Sequence, residues 1–116
     1  MQVTTGQQGE LAAALYLERK GYIIEQTNYR SRYGEIDIIA SKDDVLVFVE
    51  VKTRKNDAFA AAAEAVTYHK QQRIVKTAQY YITTHAAEDV DMRFDVISIY
   101  TQSGGQHTIE QIENAF

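Results

Sequence analysis

The 116-residue sequence contains no cysteine and no proline. The absence of cysteine excludes a disulfide scaffold, thiolate metal sites and cysteine nucleophiles together, and it fits a reducing compartment. Without proline there is no proline-rich linker to divide the chain. Long hydrophobic runs are also missing. The longest are short, such as residues 45–49, far below the ~20 residues that a membrane-spanning helix needs. Residues 1–9 carry neither a basic nor an apolar segment, so no signal peptide is expected and a cytoplasmic protein without membrane contact is the simplest reading. Positive charge is in deficit. Twelve Lys and Arg against sixteen Asp and Glu leave a net charge of −4, which argues against a general nucleic-acid binder, usually a basic protein.

What remains is ordinary for a folded domain. Hydrophobic residues make up 45% and charged residues 24%, a soluble globular composition. The length suits one domain over residues 1–116 that hides roughly two-thirds of the surface of its unfolded chain.

Residues 5–20 read as a helix. Leu11, Ala14 and Leu15 recur at helical spacing, Thr4 or Thr5 can cap the start, and Gly21 follows as a stop. Residues 22–27 are rich in β-formers, and residues 28–34 read as a turn. Residues 35–40 and 45–53 read as two strands around a polar turn at 41–44. The second is apolar on both faces near its centre, the pattern of an interior strand covered by helices. Residues 58–85 are helical in composition with a bend near 67–69, and Val66, Ile74, Ala78 and Tyr81 or Ile82 can share one side. Residues 86–91 form a loop, 93–100 a fourth strand, 103–106 a turn and 107–112 a short fifth strand. The order α-β-β-β-α-β-β implies an α/β sandwich around a mixed sheet flanked by helices.

The informative residues are acidic and lie in strands. Alternation puts Glu35 and Asp37 on one face of their strand, and Glu50 and Lys52 on one face of the next. A hairpin symmetric about 41–44 sets Asp37 opposite Phe48, with Glu50 its diagonal neighbour. Carboxylates in strongly apolar strands repel each other and are costly to bury. A hard divalent cation resolves the conflict, since Mg²⁺ binds through one or two carboxylates plus water and phosphate. A lysine beside it can stabilise an attacking hydroxide or charge building on the phosphate. Taken alone, an E-x-K in a strand more often marks a cross-strand ion pair. Here the carboxylates sit among apolar neighbours, and Asp37 precedes Glu50 by thirteen residues, a separation that suits one hairpin.

The stretches Gly34-Glu35-Ile36-Asp37-Ile38-Ile39-Ala40, Val47-Phe48-Val49-Glu50-Val51-Lys52-Thr53-Arg54, Arg93-Phe94-Asp95-Val96 and Glu113-Asn114-Ala115-Phe116 resemble the YraN-like family of uncharacterised bacterial proteins. These belong to the PD-(D/E)xK nuclease superfamily and are similar in fold to archaeal Holliday-junction resolvases. The resemblance runs from Gly9-Glu10 to Phe116. It implies a restriction-endonuclease-like core in which Asp37 and Glu50 bind Mg²⁺, with Mn²⁺ as a substitute, and Lys52 is the catalytic lysine. Glu10 matches a further acidic residue of resolvase-like members and joins the metal and catalytic set. Family members often carry Gly and Pro in the loop after the lysine strand, where this chain has Phe59-Ala60-Ala61-Ala62.

Other residues stay open between two roles. Glu10 faces Ala13, Ala14 and Leu17 on the helical wheel, and is either tucked near the site or an N-terminal acid of its helix. Glu35 is about 6–7 Å from Asp37 along the strand, as an outer ligand or an exposed strand end. Lys70, Gln71 and Arg73 lie on a helix that can follow the site, either contacting phosphate or forming a solvated face. His69, His85 and His107 lack ligand spacing and read as surface residues. Tyr80 and Tyr81 read as core or boundary. Asp95 is expected to pair with Arg93 or a helix residue.

Residues 19–76 carry eleven bases against eight acids, whereas residues 77–116 carry one base against six acids. Arg30, Arg32, Lys52, Arg54, Lys55, Lys70, Arg73 and Lys76 can therefore rim the acidic patch, and Arg54, Lys55, Lys70 and Arg73 are the expected nucleic-acid contacts. Nearby charges set the attraction to phosphate. The expected function is Mg²⁺-dependent hydrolysis of DNA phosphodiester bonds, with branched or structured DNA as substrate. A four-way junction would require two active sites and hence a homodimer. The alternatives are a non-catalytic nucleic-acid-binding module and a protein-interaction domain that kept the fold, pairing for example through the edge at residues 107–112.

Overall fold

Asp43 and Asp44 both adopt positive φ, 51° and 63°, the geometry of a two-residue hairpin turn matched to strand twist. They join β2 (Gly34–Lys42) to β3 (Val45–Lys55), with Lys42 paired to Val45 and Ile38 to Val49. The computed structural model describes residues 5–55, 66–85, 90–101 and 106–116. Ahead of the hairpin lie helix α1 (Thr5–Arg19) and strand β1 (Ile23–Ser31). After it come helix α2 (Tyr68–Thr84), β4 (Asp91–Thr101) and β5 (His107–Ile112). The element order is the expected α-β-β-β-α-β-β.

The strands form one mixed sheet in the order β1-β2-β3-β4-β5. Neighbours are antiparallel except β3 and β4, which run parallel from Val45–Asp91 to Lys55–Thr101. A parallel pair needs a crossover, and α2 lies within it. β3 is the central strand, and Leu46 to Val49 are all buried, as its two-sided apolar run implies. On one face Ala13 and Leu17 of α1 pack with Ile38, Ala40, Val47, Val49, Ile97 and Ile99. On the other Ile74, Ala78 and Tyr81 of α2 pack with Ile36, Ile39, Phe48 and Val96. This is an α/β sandwich consistent with a restriction-endonuclease-like core.

Four details differ from the sequence reading. Residues 28–31 belong to β1 rather than to a turn, and only Arg32 and Tyr33 lie between the strands. Asn28 enters the strand with φ 53°, a conformation that Asn tolerates and that makes it look like a turn residue. α2 begins at Tyr68, because Thr67 is an extended N-cap whose hydroxyl accepts from the Lys70 amide. This hydroxyl–amide bond is the usual N-cap arrangement. The earlier part of the expected helix, with Phe59 to Ala62, and the expected turn at 103–105 lie outside the described residues. So do residues 86–89 of the expected loop, while Asp91 begins β4. Finally, Leu11 and Leu15 are 60% and 53% exposed, while Gly9, Ala13 and Leu17 face the sheet. Gly9 explains the choice. A β-carbon there would collide with Thr53 Oγ1, so the small residues take the close contact and the leucines turn outward.

Candidate active site

Asp37 stands where the hairpin opens. The β2–β3 ladder is continuous up to Ile38–Val49, and the Val51 amide then donates to Asp37 Oδ2 at 2.8 Å. A side-chain acceptor has replaced a backbone one. The two-residue turn shifts the register by two places from the symmetric hairpin, so extension of the pairing sets Asp37 across from Glu50 and not Phe48. The strand's alternation also breaks here. Ile36 packs on the α2 side, whereas Ile38 packs on the α1 side.

The consequence is contact between two carboxyl groups. Burial, then the Glu50 charge and a hydrogen bond with Glu50, push the Asp37 carboxyl up to about 7, although the Val51 amide opposes the shift. Glu50 is only 8% exposed. Its Oε1 lies 3.1 Å from Lys70 Nζ and 3.9 Å from Lys52 Nζ. Burial and the neighbouring Lys70 ammonium lower the Lys52 amine. Lys70 moves the other way, because contacts with Lys52, Glu50 and Asp37 outweigh the cost of its burial. The two lysines thus crowd each other beside Glu50, and burial disfavours the charge of both.

These groups open into a cleft of about 460 Å³ lined by Gly34, Glu35, Asp37 and Glu50 from the sheet, with Thr67, His69, Lys70, Arg73 and Ile74 from α2 and its cap. A larger cavity of about 600 Å³ lies beneath the β2–β3 turn, bounded by Ile23, Lys42, Asp43, Tyr81 and His85. Size alone would favour it, but Asp37, Glu50 and Lys70 line the smaller cleft, with Lys52 beside Glu50 and outside that lining.

The expected site residues divide accordingly. Asp37, Glu50, Lys52 and Lys70 come together, and Arg73 lines the same cleft. Glu10 is half-buried within electrostatic reach of Asp37. Burial raises its pKa first and the Asp37 charge second, while a hydrogen bond with Asn28 works against both. Among the described residues no group of three or more His, Asp or Glu gathers as a metal cluster, so the carboxyl contact is a pair. Glu35 is exposed and pairs with Arg30 at 3.6 Å. Arg54 Nε is buried without a hydrogen-bond partner. Lys55 closes β3, and its side chain lies outside the described residues. Asp95 is fully buried and pairs with Arg93 at 2.9 Å, as expected.

Three contributors were missed by sequence reasoning. Asn28 supports Glu10 but resembles a turn residue. His69 lines the cleft although it has no ligand spacing. Thr67 caps the helix that presents Lys70, and a Thr ahead of a helical pattern was the available signal.

The hard oxygen pair fits a divalent cation. Two carboxyls held in contact, one raised to about 7, have negative charge that a cation would relieve, and both offer the oxygen ligands that Mg²⁺ takes. Fold and cleft together define an α/β restriction-endonuclease-like protein with an acidic, lysine-flanked site. Residues 9–99 match the model of the uncharacterised protein family UPF0102. A UPF0102 protein of Alkaliphilus metalliredigens is 43% identical over 116 residues, all of both chains. One of Clostridium acetobutylicum is 43% identical over 112 residues, 96% of this chain and 92% of its own. One of Caldanaerobacter subterraneus subsp. tengcongensis is 48% identical over 97 residues, 84% of this chain and 80% of its own. The chain belongs to family UPF0102, the YraN-like family. Among the described residues no helix is long and apolar enough to cross a membrane.

Proposed function

We propose that the protein is a Mg²⁺-dependent phosphodiesterase that hydrolyses DNA, with branched or structured DNA as its substrate class. The observation that carries this reading is the contact of the Asp37 and Glu50 carboxyls beside Lys52 and Lys70. A structural network of two acids and two lysines would gain nothing from bringing the two carboxyls together. Asp37 and Glu50 would hold the cation, which supplies charge neutralisation at the phosphate and a more acidic bound water. Mn²⁺ would substitute. Glu10 shapes the charge at Asp37 from α1.

Lys52 then takes the proton role. Its lowered pKa suits an amine that accepts a proton from the attacking water. Lys70 keeps its charge and lies 3.1 Å from Glu50, where it can turn toward a phosphate oxygen as negative charge builds. Arg73 on the cleft wall, with Arg54 and Lys55 at the end of β3, would hold flanking phosphates.

The test is a cleavage assay on single-stranded, duplex, flap and four-way DNA with Mg²⁺, Mn²⁺ or chelator. Cleavage that needs metal and disappears in Asp37→Ala, Glu50→Ala and Lys52→Ala supports the reading. Full activity in all three variants refutes it. Salt-sensitive binding with no cleavage on any substrate would point instead to the non-catalytic module.

A further inference from the structure

α2 carries a stripe that continues past the carboxyl pair. Lys70, Arg73, Lys76 and Tyr80 follow one another at steps of three and four residues, which keeps them on one side of a helix. From Lys70 to Tyr80 the rise is about 15 Å. Arg73, Lys76 and Tyr80 are exposed, and Tyr80 is a large aromatic left 43% exposed toward the C-terminal end of α2.

The β1–β2 turn supplies a second aromatic ring. Gly34 has φ 154°, and a β-carbon there would lie 3.2 Å from Thr77 Oγ1 and 3.6 Å from Arg73 Cβ. Glycine therefore lets the turn rest on α2. This brings the Tyr33 ring to 5.9 Å from the Tyr80 ring, tilted by 60°. The Arg32 guanidinium lies over Tyr33 at 5.0 Å and donates to its hydroxyl at 2.8 Å. Tyr33, Lys76, Gln79, Tyr80 and Thr83 line a shallow cavity of about 380 Å³. It adjoins the acidic cleft, since Gly34 and Arg73 wall that cleft and Tyr33 and Lys76 wall this one.

We infer that this cavity is a stacking subsite for an unpaired nucleobase of the DNA whose phosphate lies at Asp37 and Glu50. The location rests on the phosphodiesterase reading. The chemistry of the occupant rests on the cavity itself. An open ring such as Tyr80 offers a face to a base, and every base has a face to return. Among the described residues Arg32, Arg73 and Lys76 form no ion pair with a carboxylate. These three cations next to two tyrosines complement a phosphate–base–phosphate segment and do not complement an acid-free apolar surface. A duplex keeps its bases stacked inside, so the subsite favours a substrate with an unpaired segment beside the cleaved bond.

The experiment uses the full chain in chelator, so no cleavage is needed. A duplex with a short single-stranded flap carries 2-aminopurine in the flap, and fluorescence and anisotropy are read together. The wild type is expected to quench 2-aminopurine and to bind the flap DNA more tightly than a blunt duplex. Tyr80→Ala, at an exposed position, should abolish the quench and lower flap affinity roughly five- to a hundred-fold, the range of one base–aromatic stack. Tyr80→Phe should restore both. An abasic flap should bind the wild type as weakly as the normal flap binds Tyr80→Ala. Unchanged quench and unchanged flap preference in Tyr80→Ala would overturn the subsite, as would absence of binding to any DNA. Quench without metal-dependent cleavage would retain the subsite and remove the catalytic reading. Cleavage without quench would do the reverse.

Discussion

Asp37 carries the largest electrostatic strain of the described site. Unfolded, its carboxyl ionises near 3.8, and folded, near 7. Between those values the folded chain holds a proton that the unfolded chain has lost, so stability falls as pH rises through that window. Asp37→Asn removes the titration while keeping an oxygen for the Val51 amide. In chelator at pH 8 the variant should be more stable than the wild type by on the order of 1 kcal/mol, about 4 °C in melting temperature. Near pH 4 the gap should close. Thermal melts across pH check this, and a wild type at least as stable as the variant at pH 8 would contradict it. Lys52→Met should lower metal-dependent cleavage by roughly 10²–10⁴, the usual share of a positioned base, with binding of flap DNA little changed. Single-turnover rates and anisotropy separate the two effects. Asp37, Glu50 and Lys52 could be picked out from sequence because charge is expensive in an apolar strand. The role of Asn28 could not, because its effect depends on how α1, just before it in the chain, packs back against the sheet.

The β2–β3 hairpin was legible as an element and misread by two residues in register. Polar character at residues 41–44 marks a turn, but only the positive φ of Asp43 and Asp44 confines it to two residues. Asp44→Gly relieves one left-handed side chain and should stabilise the protein by on the order of 1 kcal/mol, measured by chemical denaturation. A loss of stability would show that the Asp44 side chain holds the turn in another way. α2 was legible through Ile74, Ala78 and Tyr81, all buried, because its polar and apolar sides differ. α1 was not. Leucine and alanine recur almost all round it, so periodicity could not choose a face. Packing chose the glycine–alanine side, which allows the closest approach to β3 and brings Glu10 beside Asp37.

The whole molecule separates its charge by task. Net negative charge is concentrated in the last forty residues, where six acids face one base, and part of that acid is committed to a buried clamp. Asp95 accepts from Arg93 through both oxygens, at 2.9 and 3.0 Å, and also from Gln111 and the Asn114 amide. Arg93 reaches Tyr22, which follows α1. Phe116 stacks on Phe94 with ring centres 5.2 Å apart. The clamp therefore ties the C-terminal segment to β4 and to the start of β1. Asp95→Ala would leave Arg93 with only the 3.7 Å contact to Glu113 and the Tyr22 hydroxyl, and should cost about 3 kcal/mol by denaturant titration. A change below about 1 kcal/mol would mean that the clamp is dispensable. The acidic balance of the chain thus does not oppose a nucleic-acid partner. It lies largely apart from a cleft whose own acids face each other and whose α2 wall is basic. The most direct test of that cleft is calorimetric titration of Mn²⁺ into the wild type, Asp37→Asn and Glu50→Gln near neutral pH. Binding of Mn²⁺ by the wild type that is lost in both variants is the expected result. Equal binding by all three proteins, or no binding by the wild type, would contradict the account.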